Sequence, residues 1–358
     1  GPPTDPGQMP GGEPNQRREE GTVWVNTDII TIMAIEDHPS FHFWYTADEN
    51  GSNAKFMVSY TTLVEFEDEN GDDAFQMNEM LHFASLAIYE WTIQTGSVEE
   101  DGVTTEVWLK YTKGGLRDGG MQPGMPQGPM HGESSIQRFK DVTIQIWAHI
   151  YLQDYEGNVT DDHGVKATYT VAGGSEMKMD IEIGNFPFST DTSSVALQTL
   201  LKENEATGPG NQDQHRFETR ERFRNVTGNS NANWTTTGGN ESRFEGRENT
   251  HTQKIDFVDI TTSETQGFFS WLDQAVITWP GGETEVVNVT ASYVPTGVGL
   301  AVYLAYPYFN DGTLLHDPSI GLIAEASPIV ETPFEPTLLL GIGIVAVLAI
   351  VVVAIKKR

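Results

Sequence analysis

Short runs of β-branched and aromatic residues recur along much of the chain, and they constrain the fold more than any other feature. Gly, Asn or Asp bounds each run, as turns separate strands. Across 177–183, apolar residues alternate with Lys178, Asp180 and Glu182, which is the period of two of a strand with one buried face. The predicted strands are 23–25, 41–45, 55–66, 104–111, 142–152, 165–171 and 177–183.

A second β region extends from 255 to about 329. Its segments 275–279 and 284–293 flank a Gly-Gly pair, which predicts a hairpin. The stretch 91–111 has a similar layout, with a glycine-bearing turn and a second arm that ends in Tyr. This likeness suggests two related lobes, and chance similarity is the alternative explanation.

An uncharged run of eighteen residues at 338–355 is followed by Lys356, Lys357 and Arg358. As a helix at about 1.5 Å per residue it would extend roughly 27 Å, close to the bilayer's hydrocarbon thickness of about 30 Å. It lacks the polar face of a soluble helix. We therefore expect it to span the cell membrane, with the basic C-terminus in the cytoplasm and the preceding residues outside.

The expected fold is all-β, with two sandwich-like lobes in the ectodomain plus one C-terminal transmembrane helix. Other helix is expected only at 74–89 and 194–203. Residues 1–20 are rich in Pro and Gly and should form a disordered tail. The further expected divisions are a β-sandwich lobe with an EF-hand-like loop (21–203), a polar, sequon-rich insertion or linker (204–252), the second β region (253–330), a stalk (331–337), the transmembrane helix (338–355) and a cytoplasmic basic tail (356–358).

Charge excludes one class of partner. The formal net charge is −30, so the phosphates of a nucleic acid would be repelled. The chain has no cysteine, so a long ectodomain must be stabilised by burial rather than by disulfides. Asn-x-Ser/Thr sequons on the expected outer side predict an N-glycosylated exterior. They are Asn50, Asn158, Asn225, Asn233, Asn240 and Asn288.

The segment 68–79 has the spacing of a twelve-residue calcium loop. A hard cation needs six to eight oxygen ligands, and alternate residues of such a loop direct theirs inward. The apolar residue Phe75 occupies position eight, as expected. The predicted ligands are the side chains of Asp68, Asn70, Asp72 and Gln76, the backbone carbonyl of Ala74 and the carboxylate of Glu79.

Position six of this loop departs from the usual pattern, because Asp73 replaces glycine. This position needs a positive φ, which Asp tolerates at a cost on the order of 1 kcal/mol. We therefore expect calcium affinity nearer that of extracellular modules than that of sensors. The alternative interpretation is an acidic surface turn that binds no specific ion.

Other functional signals in the sequence are weaker. Met121, Met125, Met130 and His131 offer ligands that suit copper(I), but their Gly/Pro-rich loop also explains them without a metal. The rings of Trp44, Tyr45, Trp271 and Trp279 could stack on sugars, although such residues more often fill a sandwich core. The sequence contains no signature of an activated nucleophile, zinc protease or nucleotide-binding loop.

The stretch 38–45 (HPSFHFWY), the strand after it and the loop 68–79 resemble a family of archaeal (Asgard-type) cell-surface proteins that has no established activity. Segments 176–188 (EMKMDIEIGNFPF) and 306–321 (YPYFNDGTLLHDPSIG) are of the kind this family shares, as is a single span with a short basic tail. The resemblance covers about half of the chain. It implies a surface location and a β-rich ectodomain with an EF-hand-like calcium loop.

Together these features predict a membrane-anchored, calcium-supported cell-surface glycoprotein with a structural or adhesive role in the envelope, such as a lattice or filament subunit. Its expected partners are the lipid bilayer through 338–355, further copies or other envelope proteins, and glycans. Two alternatives stay open: an extracellular carbohydrate- or ligand-binding module, and an envelope glycoside hydrolase whose paired acids are distant in sequence.

Overall fold

The computed structural model describes residues 15–19, 21–48, 55–116, 137–204, 235–238, 242–249, 251–259, 265–296 and 299–323. Antiparallel strands dominate these residues, with short 3-10 turns at Met77–Glu79 and Leu86–Ile88. The strands in the first half are β1 Asn15–Glu19, β2 Thr22–Asn26, β3 Ile30–Ile35, β4 Ser40–Tyr45, β5 Lys55–Glu67, β6 Met80–Ser85, β7 Tyr89–Glu100, β8 Val103–Leu116, β9 Thr143–Tyr151, β10 Tyr155–Asp161, β11 Gly164–Val171 and β12 Glu176–Gly184. They continue as β13 Ser193–Asn204, β14 Thr235–Gly238, β15 Ser242–Asn249, β16 Thr252–Asp259, β17 Thr265–Leu272, β18 Gln274–Thr278, β19 Thr284–Asn288, β20 Thr290–Thr296, β21 Gly299–Tyr306, β22 Thr313–His316 and β23 Ser319–Leu322. The all-β class is confirmed, and so are the seven strands predicted between residues 23 and 183.

The described strands form a nine-stranded sheet, a twelve-stranded sheet and a separate β10–β11 hairpin. The nine-stranded sheet has the order β1-β2-β3-β4-β5-β13-β21-β20, and β6 also pairs with β5. The twelve-stranded sheet has the order β14-β15-β16-β17-β23-β12-β22-β18-β19. In that sheet β9 also pairs with β12, and β8 joins β9 to β7.

The two large sheets pack face to face over a shared hydrophobic core. The ring of Phe257 in the twelve-stranded sheet lies 5.1 Å from that of Phe56 and 6.2 Å from that of Phe43, both in the nine-stranded sheet. The rings of Phe41 and Tyr111 meet edge to face at 5.4 Å across the same interface. Inward-facing side chains of both sheets therefore fill a sandwich core between them.

Strands from the two β regions of the sequence pair with each other. In the nine-stranded sheet β13 lies between β5 and β21, and in the other sheet β12 pairs with β9, β22 and β23. Neither region contains all the strands of either sheet. The two lobes expected from the sequence are therefore one sandwich in the described residues.

Both helices predicted before the anchor are wrong. The segment 74–89 contains β6 and the two 3-10 turns, and 194–203 lies within β13. The backbone of β13 pairs with a strand on each side, and this long-range pairing outweighs a weak local helix preference.

Both predicted hairpins are present. The β7–β8 hairpin turns at Asp101 and Gly102, which have φ values of 53° and 79°, as in the tight turns that match strand twist. The β18–β19 hairpin is also formed. Its expected second arm is divided, because β19 lies in the twelve-stranded sheet and β20 in the nine-stranded one.

Strands also form in the expected disordered tail and in the expected insertion or linker. Residues 15–19 form β1 on the edge of β2, although 1–20 was expected to be a tail. The segment 204–252 contributes β14 and β15, which extend the twelve-stranded sheet from β16. In both places a polar sequence forms strands through backbone pairing with a neighbouring strand.

The described residues contain no helix that is long and apolar enough to cross a membrane. The predicted span 338–355 lies outside them, as do the stalk 331–337 and the basic tail 356–358.

Candidate functional site

The predicted calcium loop connects the end of β5 to the 3-10 turn before β6. Asp68 begins it and accepts hydrogen bonds from the backbone N–H groups of Gly71 at 2.8 Å and Asp73 at 2.9 Å. Burial raises the pKa of Asp68, but the backbone N–H groups of Asp73, Gly71 and Asp72 lower it further, so the net pKa is below its ordinary value. The carboxylate therefore stays ionised and organises the turn.

Position six has the unusual backbone that the spacing demands. Asp73 has a φ of 57° and Gly71 a φ of 77°. Few non-glycine residues adopt this region, and Asp is among those that tolerate it.

Glu79 closes the loop from a buried position, with only 3% of its surface exposed. Its two carboxylate oxygens accept from the backbone N–H of Glu69 at 3.3 Å and of Gln76 at 3.2 Å. Burial raises the pKa of Glu79, these N–H groups lower it, and the negative charges of Asp68 and Asp72 raise it again, so the net pKa is above its ordinary value. The carboxylates of Asp68 and Asp72 therefore repel that of Glu79.

The loop is attached to the outer face of the nine-stranded sheet. Phe75 is buried there, with its ring 5.6 Å from Phe66 and 4.6 Å from Tyr303. Across the sheet on β20, the hydroxyls of Thr290 and Ser292 donate to the carbonyls of Asp73 and Phe75. The loop therefore links β5 to the edge strand β20, far away in sequence.

The donor set fits a hard cation in chemistry, because every predicted ligand offers oxygen. The side chains are hydrogen-bonded within the loop, however: Asp72 Oδ2 accepts from Asn70 Nδ2 at 3.1 Å and from Gln76 Nε2 at 3.0 Å, and Asp72 Oδ1 accepts from Ala74 N at 2.9 Å. Within the described part of the chain, no three His, Asp or Glu side chains are gathered as a metal site. An ion would have to displace the amide contacts to Asp72.

The described sequons lie on exposed strand positions. Asn158 is on β10, where its Oδ1 accepts from Thr168 Oγ1 at 2.9 Å, and Asn288 is at the end of β19. The remaining sequons and the four candidate copper ligands lie outside the described residues. These are Asn50, Asn225, Asn233 and Asn240, and Met121, Met125, Met130 and His131.

The four rings considered for sugar stacking have other environments. Trp44 and Trp271 are each only 2% exposed, so neither offers a platform to a ligand. The Tyr45 hydroxyl donates to the carbonyls of Gln266 and Ile323, and Trp279 Nε1 donates to Glu285.

A cleft of about 540 Å³ lies between the β10–β11 hairpin and the outer face of the twelve-stranded sheet. Its floor includes Lys254, Ser270 and Lys178, whose neighbours along their strands point into the core. The hairpin is fixed over this face by Val159 and Ala167, which pack on Leu272. Asp162 at its tip accepts from the backbone N–H and the hydroxyl of Thr284 at 3.1 and 3.0 Å.

Lys178 is the most buried charged group of the cleft, with a side chain 5% exposed. Its ammonium contacts Asp180 and lies 3.1 Å from Asp317. Burial lowers the pKa of Lys178, but the charges of Asp317 and Asp180 raise it further, so it stays protonated. Burial raises the pKa of Asp317 to about 6, although the positive charge of Lys178 lowers it. Removing the lysine would leave buried carboxylates uncompensated, which is costly.

A hydrogen-bonded chain forms the other half of the floor. Ser270 and Ser319 are 2.8 Å apart, and Ser319 donates to Glu176, whose second oxygen accepts from Ala172 N at 3.0 Å. Burial raises the pKa of Glu176, although Ser319, Ala172 N–H and the charge of Lys254 each lower it. All of these groups lie on the outer face of a sheet whose other face is core.

An aromatic ladder on β9 supports the hairpin wall. His149 stacks between Trp147 and Tyr151 at 6.0 and 6.1 Å, and Tyr151 stacks on Tyr155 of β10 at 4.1 Å. Tyr155 in turn meets Tyr169, which lines the cleft, at 6.5 Å.

Half of the signal for this cleft is present in the sequence pattern. Alternation placed Lys178 and Asp180 on the outward face of their strand. It did not show that a separate hairpin would cover that face, or that Asp317 and Lys254 would approach it from distant segments.

No protein-family model matches the sequence, and a search of curated proteins finds no relative of significant similarity.

Proposed function

We propose that this chain is a calcium-supported cell-surface glycoprotein, anchored in the membrane by residues 338–355, with a structural or adhesive role in the envelope. The observation that carries the proposal is the loop 68–79, in which Asp73 has the positive φ expected at position six and which links β5 to β20. An ion there would neutralise the repulsion among Asp68, Asp72 and Glu79.

The rest of the molecule is consistent with this role. A broad sandwich with an acidic chain attracts divalent cations and stays soluble in salt. The exposed sequons Asn158 and Asn288 are accessible for glycan attachment. The resemblance to archaeal surface proteins agrees with the same location.

Self-association is the property to measure. We expect the full-length chain in detergent to sediment as larger assemblies in millimolar calcium, and as the dispersed form in a chelator. Glu79→Gln should stay dispersed in both conditions, because it removes a carboxylate from the loop. The matched control Glu100→Gln, at the exposed end of β7, should assemble like the wild type. A wild-type chain that is equally dispersed with and without calcium would contradict the structural role.

A further inference from the structure

The cleft beneath the β10–β11 hairpin is separate from the calcium loop, which lies on the other sheet. Its volume of about 540 Å³ is within the usual range for small-molecule sites. One wall is a strand of the hairpin and the floor is the twelve-stranded sheet, so the space is formed by rigid elements. The chemistry of the lining residues indicates which class of ligand the cleft can bind.

The charged side chains that line the cleft are two lysines, Lys178 and Lys254, and two acids, Glu176 and Asp317. Lys178 faces Asp180 and Asp317, and Lys254 Nζ lies 3.5 Å from Asp256 and close enough to Glu176 to lower its pKa. An anionic ligand would therefore meet carboxylates beside each ammonium, on a chain that carries a net charge of −30. A cationic ligand would meet the two ammonium groups. The lining favours a neutral ligand.

The polar groups of the lining both donate and accept. Ser270, Ser319 and Thr168 contribute hydroxyls, Glu176 and Asp317 contribute acceptors, and the lysines contribute donors. A ligand that matches this mixture must itself present many groups that donate and accept. Most of these groups are already hydrogen-bonded within the protein. Sugar hydroxyls both donate and accept, so a saccharide would use the hydrogen-bonding capacity that remains.

The aromatic surface that the cleft offers to a pyranose ring comes from Tyr169 on the hairpin. Phe268 and Leu272 of β17 also line the cleft, but they are only 8% and 3% exposed. The ring of Tyr169 lies across Gly157, where an added Cβ would come within 2.3 Å of it. The glycine thus lets the ring lie flat on its partner strand, where the aromatic ladder supports it.

We propose that this cleft binds a neutral saccharide, with Lys254 and Tyr169 among its contacts. The proposal does not depend on calcium or on the envelope role. The saccharide could be free or part of a glycan on another copy, and the chemistry is the same.

Calorimetric titration of the full-length chain in detergent tests this directly. The neutral probes are cellobiose, maltose, lactose and N,N′-diacetylchitobiose, and digalacturonate is the acidic probe. We expect at least one neutral probe to bind, with one molecule per chain. Lys254→Ala and Tyr169→Ala should each weaken that binding about tenfold or more.

The control is Lys166→Ala, an exposed lysine on the same hairpin that does not line the cleft. It should bind like the wild type, and all three variants should keep the wild-type response to calcium. The proposal is overturned if none of the four neutral probes binds, if digalacturonate binds more tightly than they do, or if both cleft variants bind like the wild type. If the probe also disperses assemblies of the glycosylated chain, the source is a glycan on another copy; if it does not, the saccharide is external.

Discussion

Asp73 is held in the left-handed backbone region, with a φ of 57°. The positive φ is present in the described conformation, so the backbone strain lowers the stability of the fold as well as the affinity for an ion. Glycine would relieve the strain but would lose more conformational freedom on folding. The two effects partly cancel, which explains how an Asp can occupy this position.

A β-branched residue tolerates a positive φ less well than Asp does. Asp73→Val should lower the free energy of unfolding by about 1–2 kcal/mol, whereas Asp73→Gly should change it by less than about 1 kcal/mol. The measurement is urea denaturation of the full-length chain in a chelator. Glu69→Val, at an exposed loop position whose φ is not positive, is the control. Equal losses for Asp73→Val and Glu69→Val would show that backbone strain is not the cause.

His149 is a second residue whose environment sets its chemistry. Its Nδ1 lies 2.6 Å from Glu106 and its Nε2 3.5 Å from Asp180. Burial lowers the pKa of His149. Asp180 and Glu106 oppose this effect through their hydrogen bonds and their negative charges, and together they raise the pKa to about 9. The imidazolium therefore belongs to the charged network around Lys178.

A raised pKa makes this stabilisation depend on pH. Protonation favours the folded state, so the contribution is complete below about pH 6.5 and is lost as pH rises through about 9. We expect the free energy of unfolding to fall by about 1–3 kcal/mol across this range, measured by urea denaturation at each pH. His149→Gln should remove most of this slope, and His163→Gln, at the exposed hairpin tip, should keep it. An unchanged slope in His149→Gln would exclude His149 as the titrating group.

Among the elements, the β7–β8 hairpin depends most clearly on its turn. Asp101 and Gly102 both have positive φ, and an added Cβ at Gly102 would meet no other atom. The cost of a side chain there is therefore purely one of backbone conformation. Gly102→Val should lower the free energy of unfolding by about 1–2 kcal/mol.

The matched control for the turn is Gly115→Val. Gly115 is exposed on β8, does not have a positive φ, and also has open space around it. Urea denaturation should show little loss for this variant, because valine suits a strand. Similar losses for both variants would contradict the assignment of the turn.

Local sequence pattern was sufficient for the strands with the clearest signals. Alternation and aromatic content located β4, β5 and β12, because these signals depend only on nearby residues. The pattern failed at β13, where a run of Leu, Ala and Gln reads as helix, and at the arm 284–293, which changes sheet. In both cases the outcome is decided by strands far away in sequence.

The two candidate sites also differ in how far they depend on local sequence. The predicted loop 68–79 depends only on spacing within twelve residues, and Asp73 has the positive φ expected at position six. The cleft depends on Lys178, Lys254 and Asp317, which meet only after three segments have folded. No local pattern in one sequence contains that information.

At the scale of the whole molecule, the described residues form one sandwich with interleaved strands. The nine-stranded sheet needs β21 and β20 from late in the chain, and the twelve-stranded sheet needs β22 and β23. The loop 68–79 adds a further link across the nine-stranded sheet through Thr290 and Ser292. Stabilising this loop should therefore stabilise the whole sandwich rather than one part of it.

The most direct test is the thermal unfolding of the full-length chain in detergent, followed by calorimetry with about 10 mM calcium or with a chelator. If the affinity is in the range of extracellular modules, calcium should add about 1–3 kcal/mol and raise the midpoint of a single β-sheet transition by a few degrees. Glu79→Gln should unfold at the same temperature in both conditions, while Glu100→Gln should respond like the wild type. An identical wild-type midpoint with calcium and with chelator, or an undiminished shift in Glu79→Gln, would contradict calcium support of this fold through the loop 68–79.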